Sequence, residues 1–337
     1  MKHNNNFDFL RFLFSFLVII GHAILLCGTT EFRNEFFASM PNYSVFSFFV
    51  ISGFLVYSSY ERLNNTKKYF SNRMKRILPA YLFVVLFCSF FLFAFSNVGF
   101  REYFSKEWLQ YVGVNIVFMN FLKPCINYVF AENSTCAVNG SLWTIKVELM
   151  FYVFVPFLFL ILKKLSLFYK NIFLILLYLL SLAYFHIVMN TIDNYVIAKQ
   201  LPGSLTYFVS GILLYLNLNF FRKNIKFFLV PAIIIIILEK IYLNTNILFP
   251  FALGVVIIWF AYLDLPLKNF GKYGDFSYGM YLLHFPIIQI MIQTKMFEYH
   301  FFVGLFLSTV ITIITSVLLW KFIEKPFLQK KFIQKPA

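Results

Sequence analysis

Residues 9–28 read FLRFLFSFLVIIGHAILLCG, a run of twenty residues that is apolar except for Arg11, Ser15 and His22. At 1.5 Å per residue a helix of this length spans about 30 Å, the thickness of a bilayer's hydrocarbon core. It is too long for the apolar region of a signal peptide and lacks a small-residue cleavage site, so it reads as a retained membrane helix. Arg11 and His22 are eleven residues apart. Eleven steps of about 100° bring both side chains onto one helix stripe, about 16 Å apart along the axis. Ionisable groups are costly in hydrocarbon and are rarely placed there without a partner or a task. The plain alternative is a snorkelling arginine and a core histidine satisfied by its neighbours.

The rest of the chain repeats that pattern. Of 337 residues, 61% are hydrophobic and only 13% charged, with 49 phenylalanines, and the mean hydropathy is +0.76. Ten spans are expected, at about 9–28, 44–60, 77–96, 142–162, 171–189, 201–220, 227–242, 247–263, 276–293 and 301–320. The fold class is an all-α polytopic membrane helix bundle forming a single embedded domain over 1–337, with no linker, repeat or appended soluble domain. The segment from about 97 to 141 is the one sizeable element outside the membrane, a small cap.

A net charge of +15 could suggest a nucleic-acid partner. Its distribution argues against one. With the N-terminus in the cytoplasm, the inner segments hold 20 basic residues and the outer ones 7. Such an excess sets orientation by the positive-inside rule, which places both termini in the cytoplasm and the chain as a multi-pass protein of the cell's inner (cytoplasmic) membrane. The inner loop 61–76 is the most basic. Arg73 and Arg76 are three apart and would project from one side of a helix entering the third span. Paired guanidiniums suit phosphate, and Lys67 and Lys68 add charge at the same mouth; equally, the loop could serve only to anchor topology on anionic lipid. Cys125 and Cys136 share the outer segment and can bridge in an oxidising compartment or stay as two thiols. No spacing of His, Cys, Asp or Glu suggests a metal site. Asn133-Ser134-Thr135 fits a glycosylation sequon, a pattern common by chance.

Three further segments carry polar groups at membrane depth. Ser141 to Glu148 reads SLWTIKVE, which sets Trp143 at the outer boundary and Glu148 about 9 Å below it, the depth also expected of His22. An imidazole and a carboxylate at matched depth could form a base and its orienting partner. Lys146 is roughly 200° around the helix from Glu148 and more naturally snorkels outward. Phe48 to Leu55 contains Ser52-Gly53, which would let a neighbouring backbone approach closely. Ser277 to Pro286 reads SYGMYLLHFP, with His284 before a proline; it is either a site-lining group or a structural one.

Together, Asp8-Phe9-Leu10-Arg11 with His22, Phe48 to Leu55, Arg73-Met74-Lys75-Arg76, Ser141 to Glu148 with Phe151-Tyr152, Ser277 to Pro286, and Ile323-Glu324-Lys325-Pro326-Phe327 resemble the acyltransferase-3 family of integral-membrane acyltransferases. They occur in the family's order and span nearly the whole chain. Lys146 departs from the small polar residue more usual there, and the chain is similar to the stand-alone members, not to those fused to an SGNH-type esterase. The resemblance implies an O-acyltransferase that takes acetyl from acetyl-CoA and gives it to a sugar hydroxyl of a lipopolysaccharide, exopolysaccharide or related glycan, finished or lipid-linked. It implies His22 as the catalytic histidine, Arg11 as its paired arginine, Glu148 as the acidic residue, and Arg73 and Arg76 as donor-binding. Arg11 is too far from His22 for contact, so it belongs to the donor channel or to a pair with Asp8. Two other classes fit the composition. A proton-coupled transporter would use the buried His, Glu and Arg as a relay, and a lipid-binding scaffold would not need them.

Overall fold

The computed structural model describes residues 5–27, 35–243 and 245–329; Lys2, Arg33, Lys330, Lys331, Lys335 and both chain ends, on which part of the charge count and the cytoplasmic assignment of the termini rest, lie outside them. All ten expected spans are helical. They are α1 (Phe7–Cys27), α2 (Glu35–Leu63), α3 (Thr66–Phe91), α5 (Trp143–Leu162), α6 (Leu167–Ile192), α7 (Leu201–Leu216), α8 (Ile225–Leu238), α9 (Phe249–Ala261), α10 (Ser277–Gln293) and α11 (Phe301–Leu319), with α4 (Lys106–Ile116) between α3 and α5. Six described helices are long and apolar enough to cross a membrane: α1, α2, α3, α5, α6 and α11. A seventh arises if α9 and the short helix Pro266–Lys272, bent by 89°, count as one span. The remaining four segments of the sequence count are shorter, and α7 has only 16 residues.

Contacts divide the chain into two compact units. The first comprises 1–10, 43–69 and 147–272; the second comprises 11–42, 70–146 and 273–337.

In the first unit, close packing is set by glycines. A Cβ on Gly53 would lie 1.9 Å from the Phe208 carbonyl oxygen, and one on Gly211 would lie 2.1 Å from that of Val50. Here α2 and α7 meet backbone to backbone, the approach that Ser52-Gly53 suggests in the sequence. Stacked rings fill the flanks, Phe46 on Tyr207 and Phe151 on Phe208, with centroids 4.1 and 4.2 Å apart. At the end of α9, whose last carbonyls have no helical partner, the Asn6 side chain donates to the carbonyls of Phe260 (3.0 Å) and Leu263 (2.9 Å).

In the second unit, Gly304, Ser308, Thr312 and Ser316 recur every four residues and form a small, buried stripe along α11. Gly279 of α10 fits against it, its would-be Cβ 3.2 Å from Ser316. The outer segment is tied down at many points. Tyr81 of α3 donates to the Asn115 carbonyl (2.7 Å), and Tyr103 and Trp108 both donate to the Ser89 carbonyl (3.0 and 2.9 Å). Cys125 and Cys136 are joined by a disulfide, which selects the bridged alternative. Asn133 gives its amide to the backbone and side-chain oxygens of Gln289 (3.0 and 2.9 Å). An acceptor asparagine must offer that nitrogen to a glycan, so the sequon is a structural contact.

Candidate functional site

In the second unit α1 carries His22 five residues before its end at Cys27. The Nδ1 of His22 is 3.0 Å from the Nε2 of His284 on α10. His284 is completely buried, and its Nδ1 lies 3.2 Å from the Met280 carbonyl oxygen one turn back. The Phe285 ring stands edge-on to the His22 imidazole at 5.4 Å between centroids. Gly140 in turn lies against that ring, where a Cβ would come within 2.8 Å.

The local backbone explains why α10 holds this arrangement. Pro286 has no N–H, so the carbonyl four residues earlier, that of Leu282, loses its helical donor. In hydrocarbon an orphaned carbonyl costs several kcal/mol. The Asn139 side chain fills the vacancy at 2.7 Å. Ser141 donates to Asn139 Oδ1 (2.7 Å), and Thr144 Oγ1 pairs with the Tyr281 hydroxyl (2.8 Å). Gln289 donates to the carbonyls of Thr135 and Ala137 (2.7 and 2.8 Å). The outer segment therefore grips α10 on both sides of the proline. Trp143, at the start of α5, is half-buried, and Lys146 places its ammonium 4.4 Å from the centre of the Phe121 ring.

At the other end of α1 in the same unit, Arg11 Nη1 and Arg76 Nη2 both donate to Asp275 Oδ2, at 3.3 and 2.9 Å. The backbone N–H and hydroxyl of Ser277 donate to Oδ1 of the same carboxylate. Burial by itself would raise the Asp275 carboxyl, but the Arg11 and Arg76 guanidiniums and the Ser277 donors outweigh it and hold it below its ordinary range. Arg73 is half-buried one turn before Arg76 on α3. Asp275 is absent from the sequence-based candidates. A signal existed, because arginines drawn partly out of water call for a carboxylate partner and Asp275 stands two residues before the Ser277 to Pro286 segment.

In the first unit Glu148 is held on α5 by two donors. Tyr152, one turn on, gives its hydroxyl to Oε1 at 2.6 Å, and Ser52 of α2 does so at 3.2 Å. Tyr69 donates to the Tyr152 carbonyl (3.1 Å). Lys67 and Lys68 are exposed in the first turn of α3, which Asn65 caps through the Lys68 N–H (2.8 Å). The sequence candidates thus fall into two groups: Arg11, His22, Arg73, Arg76, Trp143 and His284 in one unit, Ser52, Lys67, Lys68 and Glu148 in the other. Within its own unit His22 pairs with a second imidazole, that of His284.

Comparison with known proteins gives one full-length relative and one partial one. An O-acetyl transferase of Shigella phage Sf6 is 26% identical over 350 aligned positions, covering 98% of each chain. Nodulation protein 10 of Rhizobium leguminosarum bv. viciae is 32% identical over 170 positions, 46% of this chain and 44% of its own. No solved structure matches. A family model described as an acyltransferase domain matches residues 4–321. With motif order, an all-helical membrane-spanning fold and a match over nearly the whole length in agreement, the chain belongs to the acyltransferase-3 family of membrane acyltransferases.

Proposed function

We propose that this acyltransferase moves acetyl from cytoplasmic acetyl-CoA to a sugar hydroxyl of a cell-surface glycan, in the cell's inner membrane with both termini in the cytoplasm. The observation that carries the proposal is the composition of α1. One helix holds a histidine with an imidazole partner near one end and an arginine in a guanidinium cluster near the other, eleven residues away. Eleven residues of helix measure about 16 Å, so a donor held by its phosphates at the arginines can extend its pantetheine arm toward the histidine. Two arginines gathered on one carboxylate, with Arg73 one turn away, suit a polyphosphate headgroup. Lys67 and Lys68, exposed at the start of the helix that carries Arg73 and Arg76, extend that charge.

The reaction follows from the chemistry of a base. His22 takes the proton of the acceptor hydroxyl while the oxygen attacks the thioester carbonyl. The C–S bond breaks, a C–O ester forms, and the coenzyme leaves as a thiol once it takes up the proton His22 has held. General-base assistance of this kind is typically worth about 10² to 10⁴ in rate. The relative from Shigella phage Sf6, an O-acetyl transferase by name, supports acetyl as the group moved. In the first unit, Glu148 is fixed by Ser52 and Tyr152, and the family resemblance gives it the role of the acidic residue.

The test is transfer in reconstituted vesicles. Labelled acetyl-CoA supplied to purified protein should label glycan extracted from the producing cell's surface, and His22→Ala should reduce labelling to background at unchanged protein content. Transfer that persists in His22→Ala removes His22 as the base, and no labelling by the intact protein removes the reaction.

A further inference from the structure

We infer that His284 is a positioning residue: its Nε2 accepts the Nδ1–H of His22 and so fixes the proton-accepting lone pair on His22 Nε2. The inference rests on the reading of His22 as the base and deepens it.

The assignment follows from hydrogen-bond bookkeeping along three groups. A backbone carbonyl can only accept, so the 3.2 Å contact between His284 Nδ1 and the Met280 oxygen puts a proton on that Nδ1. A neutral imidazole protonated at Nδ1 carries its lone pair at Nε2. That atom lies 3.0 Å from His22 Nδ1, which must then be the donor. Neutral His22 with its proton on Nδ1 has its basic lone pair on Nε2. One carbonyl at position 280 thereby sets the tautomers of two rings in sequence.

The ring that transmits this setting is enclosed. His284 is fully buried, the following Phe285 is wedged against Gly140, and the Leu282 carbonyl freed by Pro286 is anchored by Asn139. The chemistry also suits an imidazole to this role. A buried carboxylate beside His22 would have to be stripped of water, which often costs more than the pairing returns. A neutral acceptor adds no charge before the reaction. Once His22 is protonated at Nε2, its Nδ1–H still donates to His284, which spreads the new positive charge over a pair of rings.

The experiment is a comparison of His284→Gln with His284→Leu in full-length protein in vesicles, using labelled acetyl-CoA and extracted surface glycan. Glutamine can place its amide oxygen where Nε2 stood and keep the acceptor; leucine fills similar space and accepts nothing. The expected result is a fall in kcat of about 10²-fold or more for Leu, within the range of lost base assistance. Gln should recover activity to within about tenfold, and the KM for acetyl-CoA should stay near that of the unchanged protein in both variants. An intact Cys125–Cys136 disulfide and normal membrane abundance report the fold. Leu and Gln falling equally, or neither falling while His22→Ala is inactive, overturns the role of His284 and leaves His22 as base. Full activity in His22→Ala overturns the reading on which the role rests. A rise in KM with kcat unchanged would move His284 to donor binding and overturn it as well.

Discussion

Single atoms decide the closest contacts in this protein, and they do so at glycines. Gly140 has space for hydrogen only, because a methyl group would lie 2.8 Å from the Phe285 ring that flanks His22. Gly140→Ala should therefore lower transfer by tilting Phe285, and the double variant Gly140→Ala with Phe285→Leu should recover part of the loss. Strict additivity of the two effects in a double-mutant cycle would show that the contact does not matter. Gly53 faces a harder wall, a backbone carbonyl that a Cβ would meet at 1.9 Å and that no rotamer change can move. Overpacking a core costs about 1–3 kcal/mol even where side chains can give, so Gly53→Ala should cost at least that, read as a lower melting temperature of the solubilised protein. The two glycines differ in how far the sequence announces them. Ser52-Gly53 inside an apolar run is a recognisable packing signal, whereas Gly140 sits in a polar outer segment and nothing near it in sequence points to Phe285.

Helix α10 shows how an element is held by segments outside it. Its proline removes one hydrogen bond, and the outer segment returns it through Asn139. Asn139→Leu leaves the Leu282 carbonyl without that donor, a loss of several kcal/mol for a backbone group at membrane depth. It should loosen α10 enough to reduce transfer while leaving α6 to α9 of the first unit unaffected, and hydrogen exchange measured by mass spectrometry would locate the change. At the N-terminal end of α1 the Arg11–Asp275–Arg76 cluster binds another set of elements together. The Asp275 carboxyl is held below its ordinary range. A group depressed in the folded state stabilises above its unfolded pKa, near 4 for aspartate, and that contribution is lost as pH falls through the lower folded value. The thermal stability of the solubilised protein should decline on that acid limb, and Asp275→Asn should be less stable at neutral pH and should flatten the limb. An unchanged acid limb in the variant would assign it to other carboxylates. The arginines were visible in the sequence as ionisable groups in or beside apolar runs; their shared carboxylate was not, since it follows them by 264 and 199 positions.

At the scale of the whole molecule the basic residues and the disulfide bear on the same question. The positive-inside count puts the segment 97–141 outside, and a disulfide persists on the oxidising side of a membrane, so the Cys125–Cys136 bridge supports that orientation. With Cys27 and Cys88 replaced by serine, Arg101→Cys should react with an impermeant maleimide in intact cells and Lys163→Cys only after permeabilisation. The reverse pattern would invert the protein in the membrane and detach the guanidinium cluster from a cytoplasmic donor. Many large apolar side chains are exposed, among them Leu180 on α6 and Phe227 on α8, as befits surfaces that meet lipid instead of water.

Hydropathy and charge are properties of segments, so the sequence by itself determined what they control. The helices, their approximate limits, the expected orientation and the residues with chemistry worth testing were all present in it, and the six motifs in order were enough to imply the family. Partnership is a property of space, and only the tertiary structure decided it. Depth along a helix is fixed by residue count at 1.5 Å per step, which is why the sequence carries an expectation of one level for His22 and Glu148. Which side chains share a level and also face each other depends on how the helices pack. That packing gave His22 the imidazole of His284, gave Glu148 the hydroxyls of Ser52 and Tyr152, and gave Arg11 and Arg76 one carboxylate in common.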